Sequence, residues 1–291
     1  MAVVRATEIQ RVAVVGAGTM GHGIAQVAAQ TGFEVRLFDG TPGVAEAALE
    51  KIRSSLEEGV KRGKVSAPER DEALSRLSAR SSLPDAVAGT ELVIEAIPER
   101  MELKELLFSD LGRICSETAL LGSNTSSLSL SRIARSTVHP ERVVGLHFFN
   151  PPHRMKLLEV VRGEATSDAA VETALGLARR FGKDPIVVKD SPGFATSRLG
   201  VALGLEAMRM LEEKVAAPED IDKAMELGYG HPMGPLRVSD LVGLDVRLSI
   251  AETLHRELGA EHFAPPQILR DKVRMGKLGK KSGAGFYTWE K

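Results

Sequence analysis

The run Gly16-Ala17-Gly18-Thr19-Met20-Gly21 follows directly on the apolar stretch Arg11-Val12-Ala13-Val14-Val15 and opens onto a segment, 19–31, with helical spacing. Strand, glycine turn and helix in that order restrict the fold more than any other feature of the chain. Gly16 permits a tight turn, Gly18 lets the backbone come close to a bound group, and Gly21 lets the helix lie against the strand. With Thr19 and Met20 the glycines form the mouth of a helix, where backbone N–H groups favour a pyrophosphate. Taken alone, the six residues also suit an ordinary glycine-rich turn. The run Glu34-Val35-Arg36-Leu37-Phe38-Asp39 then alternates and ends on an acid, so a second parallel strand closes a right-handed βαβ unit of about 30 residues.

Asp39 argues against the ordinary turn. It lies 18 residues beyond Gly21, at the end of the second strand, where a carboxylate accepts hydrogen bonds from both ribose hydroxyls of a dinucleotide. Its charge repels a 2′-phosphate, and Gly40-Thr41-Pro42 supply no arginine to receive one. NAD is therefore expected over NADP.

From Val44 to about Leu77 the pattern is charged and helical, with Ala48, Ile52, Leu56 and Val60 on one face and breaks at Gly63 and Pro68. Strand patterns return at 92–96, 119–123, 143–147, 157–161 and 185–188, with helices near 101–115 and 168–181. After Asp190-Ser191-Pro192-Gly193 only helical spacing remains, over 195–214, 218–227, 236–258 and 266–275. The expected architecture is α/β: a doubly wound, mostly parallel sheet over residues 1–189 with a helical arm at about 44–77, then an all-α domain over 190–291.

Charge excludes several functions. Lys plus Arg number 38 against 39 Asp plus Glu, so no overall field draws the chain to nucleic acid or an anionic membrane. No stretch approaches the ~20 apolar residues of a membrane span, and the first residues lack the apolar core of an export signal. A cytoplasmic protein with a small-molecule substrate is expected. The lone cysteine, Cys115, reads as a small core residue rather than a nucleophile.

A nucleotide fold does not specify a reaction, so the chemistry must come from polar residues at strand ends. Ser123-Asn124-Thr125-Ser126-Ser127-Leu128 follows one strand directly, although alone it suits a serine-rich loop with a helix cap. Gly145-Leu146-His147-Phe148-Phe149-Asn150-Pro151 ends another strand on a histidine. Twelve residues after His147, Glu159 sits within the apolar run Leu157–Val161, where an unpaired carboxylate is costly to bury. A His147–Glu159 pair removes that cost: the acid accepts from one ring nitrogen and leaves the other as a base.

These motifs resemble the L-3-hydroxyacyl-CoA dehydrogenase family over nearly the whole chain. The resemblance extends to Val93-Ile94-Glu95-Ala96-Ile97-Pro98-Glu99, Met155-Lys156-Leu157, Gly230-His231-Pro232-Met233-Gly234-Pro235 and Gly283-Ala284-Gly285-Phe286-Tyr287. It implies an NAD-dependent enzyme of fatty acid β-oxidation or butanoate metabolism in which His147 takes the proton of a substrate 3-hydroxyl, supported by Glu159. By the same resemblance Ser126 hydrogen-bonds the reacting part of the substrate and Asn150 helps hold the active-site loop. Asn124 and Glu99 border the nicotinamide end of the cofactor, and Lys104 lies near its pyrophosphate. As plain sequence, Glu99 and Lys104 also suit a helix-start acid with an exposed lysine.

The resemblance further implies an acyl-CoA substrate contacted by Ser55 and Arg62 of the arm, and a homodimer formed through the helical domain. Ser197 departs from the pattern, standing where the family commonly has an asparagine that orients the substrate. A bridging water, a differently seated substrate or a different hydroxyacid would each accommodate it. The basic segment Gly276–Gly283 suits either a phosphate contact or a solvated tail. Two rival readings remain at this point: a related dehydrogenase of a free hydroxyacid or sugar acid, and a catalytically silent NAD-binding relative.

Overall fold

The computed structural model describes residues 3–290. The chain divides into two compact units, one through Asp190 and one from Ser191. In the first, β1 (Arg11–Val15), α1 (Thr19–Gln30) and β2 (Glu34–Phe38) form the βαβ unit, with the strands parallel. The arm follows as α2 (Val44–Lys61) and α3 (Ala67–Ser75), then β3 (Leu77–Ala79), α4 (Leu83–Val87), β4 (Leu92–Glu95), α5 (Met101–Ile114), β5 (Leu120–Ser123) and α6 (Leu130–Ala134). The unit closes with β6 (Val143–Phe148), β7 (Leu157–Arg162), α7 (Asp168–Arg180) and β8 (Asp184–Lys189).

The eight strands lie in the order β3-β2-β1-β4-β5-β6-β7-β8, parallel throughout except that β6 and β7 run antiparallel. The order reverses direction between β1 and β4, which opens a crevice beyond their carboxyl ends, the usual ligand position of such sheets. The inner strands are apolar on both faces because helices cover both: β4 is wholly buried, and so is β6. Pro185, which cannot donate to a ladder, falls in β8 at the sheet edge, where Ile186 and Val187 are partly exposed.

The arm breaks where its composition suggests but not at Pro68. Helix α2 ends at Lys61, Gly63 takes a left-handed conformation, and Pro68 lies in the first turn of α3, where a missing N–H costs nothing. Ser66 caps α3, accepting from Glu69 N at 3.3 Å while Glu69 reaches back to Ser66 N at 2.7 Å. Ile52 and Leu56 are fully buried, at roughly 1.5–3 kcal/mol each, and with Ala48 they fasten α2 against α1. The short strand β3 is absent from the sequence pattern; three residues are too few to show a period.

The second unit contains α8 (Thr196–Glu212), α9 (Pro218–Tyr229), α10 (Pro235–Val242), α11 (Leu244–Leu258) and α12 (Gln267–Arg274) around a core that includes Val201, Met208, Leu244 and Leu254. The single helix expected over 236–258 is two. Gly243, at φ 103°, ends α10 and reverses the chain into α11. Two buried acids seat the end of the chain. Asp240 accepts from Phe286 N, Tyr287 N and Trp289 Nε1, each at 2.9 Å, and Asp222 accepts from the Tyr287 hydroxyl at 2.8 Å.

Cys115, at the end of α5, is buried, and burial pushes its thiol up to about 11. At pH 8 only about one thiol in a thousand is then thiolate. Ellman's reagent should leave the native protein nearly unlabelled and release one equivalent on denaturation; rapid stoichiometric labelling of the folded protein would contradict this placement.

Candidate active site

The glycine loop fills the crevice at the sheet's switch point. Gly16 has φ +99°, and a Cβ there would come within 2.5 Å of the Ala96 carbonyl oxygen beyond β4. A Cβ on Gly21 would sit 1.7 Å from the Gly16 carbonyl oxygen, so the start of α1 can approach β1 only without a side chain. At Gly18 a Cβ would meet nothing within 4 Å. That residue borders open space, as a cradle for a bulky group requires. Helix α1 begins at Thr19, then Met20, with no side chain capping its N-terminus and no acid in its first turn. An anion is thus the natural complement of its first N–H groups.

Asp39 lies beside this loop at the end of β2. One carboxylate oxygen accepts from Ala17 N at 2.8 Å and the other from Thr41 N at 2.9 Å. The acid is thereby held with its charge at the position expected for ribose recognition. Open cradle, uncapped helix and anchored acid together fit an NAD molecule.

Next to the crevice a cluster of charges is sealed inside. Lys104, 1% exposed, donates to Glu95 at 2.5 Å and lies 3.3 Å from Glu99. Glu95, 0% exposed, also accepts from Ile97 N at 2.8 Å and from the Ser123 hydroxyl at 2.6 Å. Burial raises the carboxyl pKa of Glu95 even against the attraction of Lys104. Burial acts on Glu99 in the same direction, but Lys104 and the donors of the serine loop outweigh it and hold Glu99 below the usual carboxylate value.

Glu99 accepts from the Thr125 hydroxyl at 2.6 Å, Ser126 N at 2.8 Å and Ser127 N at 3.1 Å. Lys104 is buried in this structure, not the exposed lysine that the plain sequence also suited. Its ammonium is enclosed by two carboxylates and positions Glu99, which shapes the loop carrying Ser126. The sequence held a signal for this: Met101, Lys104, Leu107, Phe108 and Leu111 recur at helical spacing, so the lysine occupies the buried stripe of α5.

Because β5 and β6 are parallel, the serine loop and the end of β6 emerge on the same edge of the sheet. Asn124 ties them together, its side-chain oxygen accepting from Phe148 N at 2.9 Å. His147, one residue earlier on β6, is buried and directly opposite Glu159 in the antiparallel β6–β7 ladder. Directly opposed side chains share a face of the sheet, and His147 Nδ1 lies 2.6 Å from Glu159 Oε2. Phe149 packs its ring against the imidazole at 4.6 Å between centroids. Asn150 follows, exposed and joined to Pro151 by a cis peptide bond.

Along the arm, Ser55 and Arg62 line a groove of about 690 Å³ with Gln26 and Gln30 of α1, Lys64, and His153 and Arg154 of the loop after β6. Arg62 is exposed and paired with Glu58 at 2.7 Å, a contact easily exchanged for a stronger anion. Burial, then the nearby Arg154 and Lys183, lower the pKa of His153, so arginine and lysine carry the groove's positive charge. Ser197 stands apart from these residues in the sequence, in the first turn of α8 in the second unit. Among the described residues there is no cluster of His, Cys, Asp or Glu suited to a metal ion, and no helix long and apolar enough to cross a membrane.

Comparison with known proteins agrees with this geometry. Residues 11–191 match the NAD binding domain of 3-hydroxyacyl-CoA dehydrogenase, and residues 193–289 match its C-terminal domain. A probable 3-hydroxybutyryl-CoA dehydrogenase of Bacillus subtilis is 45% identical over 97% of this chain and 98% of its own. A 3-hydroxyadipyl-CoA dehydrogenase of Escherichia coli is 44% identical over 97% of this chain and 59% of its own. The crystal structure of (S)-3-hydroxybutyryl-CoA dehydrogenase from Ralstonia eutropha superposes with a TM-score of 0.93 at 38% identity, covering 98% of this chain and 100% of that one. Fold, cofactor crevice and these matches define an NAD-dependent oxidoreductase. The chain belongs to the 3-hydroxyacyl-CoA dehydrogenase family, and the match runs through both of its units.

Proposed function

We propose that this protein interconverts a short-chain 3-hydroxyacyl-CoA and the corresponding 3-ketoacyl-CoA, with His147 as the proton-transferring catalytic residue. The observation that carries the reading is the buried His147–Glu159 pair at 2.6 Å. The Gly16–Gly21 loop and Asp39 would hold NAD, which would supply the acceptor for a hydride from C3 of the alcohol. Glu159 accepts from Nδ1–H, which fixes the tautomer and leaves Nε2 to take the proton of the 3-hydroxyl. As Nε2 is protonated, the carboxylate favours the resulting imidazolium. Ser126, held by Glu99 through its backbone, offers a hydroxyl to the reacting oxygen, and Asn150 supports the loop on the other side of His147.

The arm groove is assigned to the carrier. Ser55 and Arg62, with Lys64 and Arg154 nearby, present hydrogen-bond donors and positive charge to coenzyme A phosphates. This favours a thioester over a free hydroxyacid, which would not need those charges. The domain roles follow: residues 1–189 hold the cofactor and the arm, and 190–291 serve substrate enclosure and a homodimer.

The test is NADH oxidation with acetoacetyl-CoA, beside free acetoacetate and beside NADPH. Turnover of the thioester with NADH, and at least about 100-fold lower kcat/KM for either alternative, is expected. Comparable rates on free acetoacetate would overturn the carrier assignment, and no turnover of any hydroxyacyl or ketoacyl thioester would overturn the enzymatic reading.

A further inference from the structure

The loop over residues 149–156 joins the two members of the buried pair. It leaves β6 just after His147 and enters β7 just before Glu159. The β6–β7 ladder sets the pair without the loop, because the strands are in register from Gly145↔Val161 to Phe148↔Leu158. Within the loop, Arg154 N and Met155 N both donate to the Pro151 carbonyl, at 2.9 and 3.1 Å. The carbonyls of Pro152 and Met155 are received by a side chain from elsewhere: Lys183 Nζ donates to the first at 2.6 Å and to the second at 2.9 Å.

Lys183 is aimed at the loop by the turn between α7 and β8. Gly182, at φ +67°, ends α7, and Lys183 N then donates to Ala178 O at 2.9 Å while Asp184 N donates to Lys156 O at 2.8 Å. The lysine backbone is thus pinned on both sides. Its ammonium is half-buried, and burial lowers its pKa with no carboxylate to oppose the shift. Hydrogen bonds from an ionised donor are stronger than neutral ones, so the two carbonyls are drawn firmly to one point. The loop is also backed by α1, where a Cβ on Gly23 would lie 2.7 Å from Pro152 Cδ. Pro152 is therefore fastened twice, through its ring to α1 and through its carbonyl to Lys183. Between the two anchored carbonyls stand His153 and Arg154, which line the groove that also holds Ser55 and Arg62. Every group in this arrangement belongs to the first unit.

We propose that Lys183 is a positioning residue for the thioester: by anchoring residues 152 and 155 it holds Arg154 and His153 at a fixed reach from His147, so that a carrier seated in the groove brings its acyl group into line with the imidazole. This rests on the assignment of the arm groove to the carrier. Lys183 lies outside both the His147–Glu159 pair and the groove wall, so it acts through the loop. Misplacing a bound substrate by about 1 Å can cost about 100-fold in rate, which gives such a clamp ample leverage. A lysine that merely steadied the fold would affect every thioester alike, whereas a lysine that positions the groove matters only to substrates that carry the phosphates.

The experiment compares reduction of acetoacetyl-CoA with that of S-acetoacetyl-N-acetylcysteamine, which has the same reacting group and ends short of the carrier phosphates. It uses full-length wild type, Lys183→Met, Lys183→Arg and Arg154→Gln. In Lys183→Met the wild-type preference for the CoA thioester, as a ratio of kcat/KM values, should fall by at least about tenfold, chiefly through KM for acetoacetyl-CoA, while the Kd for NADH changes by less than about twofold. Lys183→Arg can still donate to both carbonyls and should recover most of the preference. Arg154→Gln should reproduce the loss, since the lysine acts through that residue, and it keeps the test decisive even if Lys183→Met does not fold. A preference retained in Lys183→Met, whether activity falls equally on both thioesters or not at all, overturns the proposal, as does one retained in Arg154→Gln. Wild-type enzyme with no preference for the CoA thioester overturns the carrier assignment instead, and no turnover of either thioester overturns the enzymatic reading.

Discussion

Replacing His147 with glutamine should lower kcat for acetoacetyl-CoA reduction by about 10³-fold, within the range general acid–base catalysis contributes, while NADH affinity changes by less than about twofold. Glutamine approximates the volume of the imidazole and can still hydrogen-bond Glu159, so the buried face shared by β6 and β7 stays filled. It cannot take up and return a proton. Glu159→Gln should cost less, about 10- to 100-fold in kcat with little change in KM, as expected for a residue that acts through another. The ordering is the informative result. Equal losses in both variants would mean that the pair acts as a single structural unit, and an active His147→Gln enzyme would remove the histidine from the chemistry. Direct titration of NADH fluorescence separates these outcomes from loss of cofactor binding.

Lys104→Met should destabilise the first unit by about 3–5 kcal/mol, the usual cost of leaving a buried charge without its partner, and lower its melting temperature by roughly 10 °C. Glu95 is 0% exposed and would keep the Ser123 hydroxyl and Ile97 N as donors to its carboxylate. Glu99 would lose the cation that helps hold it ionised beneath the serine loop. Activity should fall as well, because Glu99 positions Ser126. Adding Glu95→Gln to Lys104→Met should restore part of the stability, since the second change removes the stranded charge. Calorimetry showing a loss below about 1 kcal/mol in the single variant would mean the cluster is solvated in solution and the lysine free to reach a phosphate.

Much of this organisation was legible before any coordinates. The strand, glycine loop and helix at 11–31 and the acid at Asp39 lie close together in the chain, and each residue's type answers a local backbone demand. The pairing of His147 with Glu159 was also legible, because a carboxylate within Leu157–Val161 needed a partner and one histidine lay near. That β7 runs antiparallel to β6 and opposes these two residues was not, since apolar strands carry no mark of direction. The second unit was readable as helical, but its break at Gly243 was lost in a periodicity that continues on both sides.

Lys104 and Arg247 carry the same signal in the sequence. Arg247 follows Leu244 by three residues and precedes Ala251 and Leu254 by four and seven, just as Lys104 lies within the stripe of Met101, Leu107 and Phe108. Periodicity marks both charges as facing inward, yet it cannot name what they meet. Helix faces, the glycine turn and the acid at the end of β2 were thus settled within short stretches of chain, through spacing and backbone freedom. The partner of each buried charge was settled only in three dimensions, because Lys104 meets Glu95 where α5 packs over the end of β4, while Arg247 meets Gly200 and Gly204 on a helix more than forty residues away. Coulombic neutralisation depends on which distant segments the strand order and helix packing bring within a few ångströms, and no local pattern carries that information.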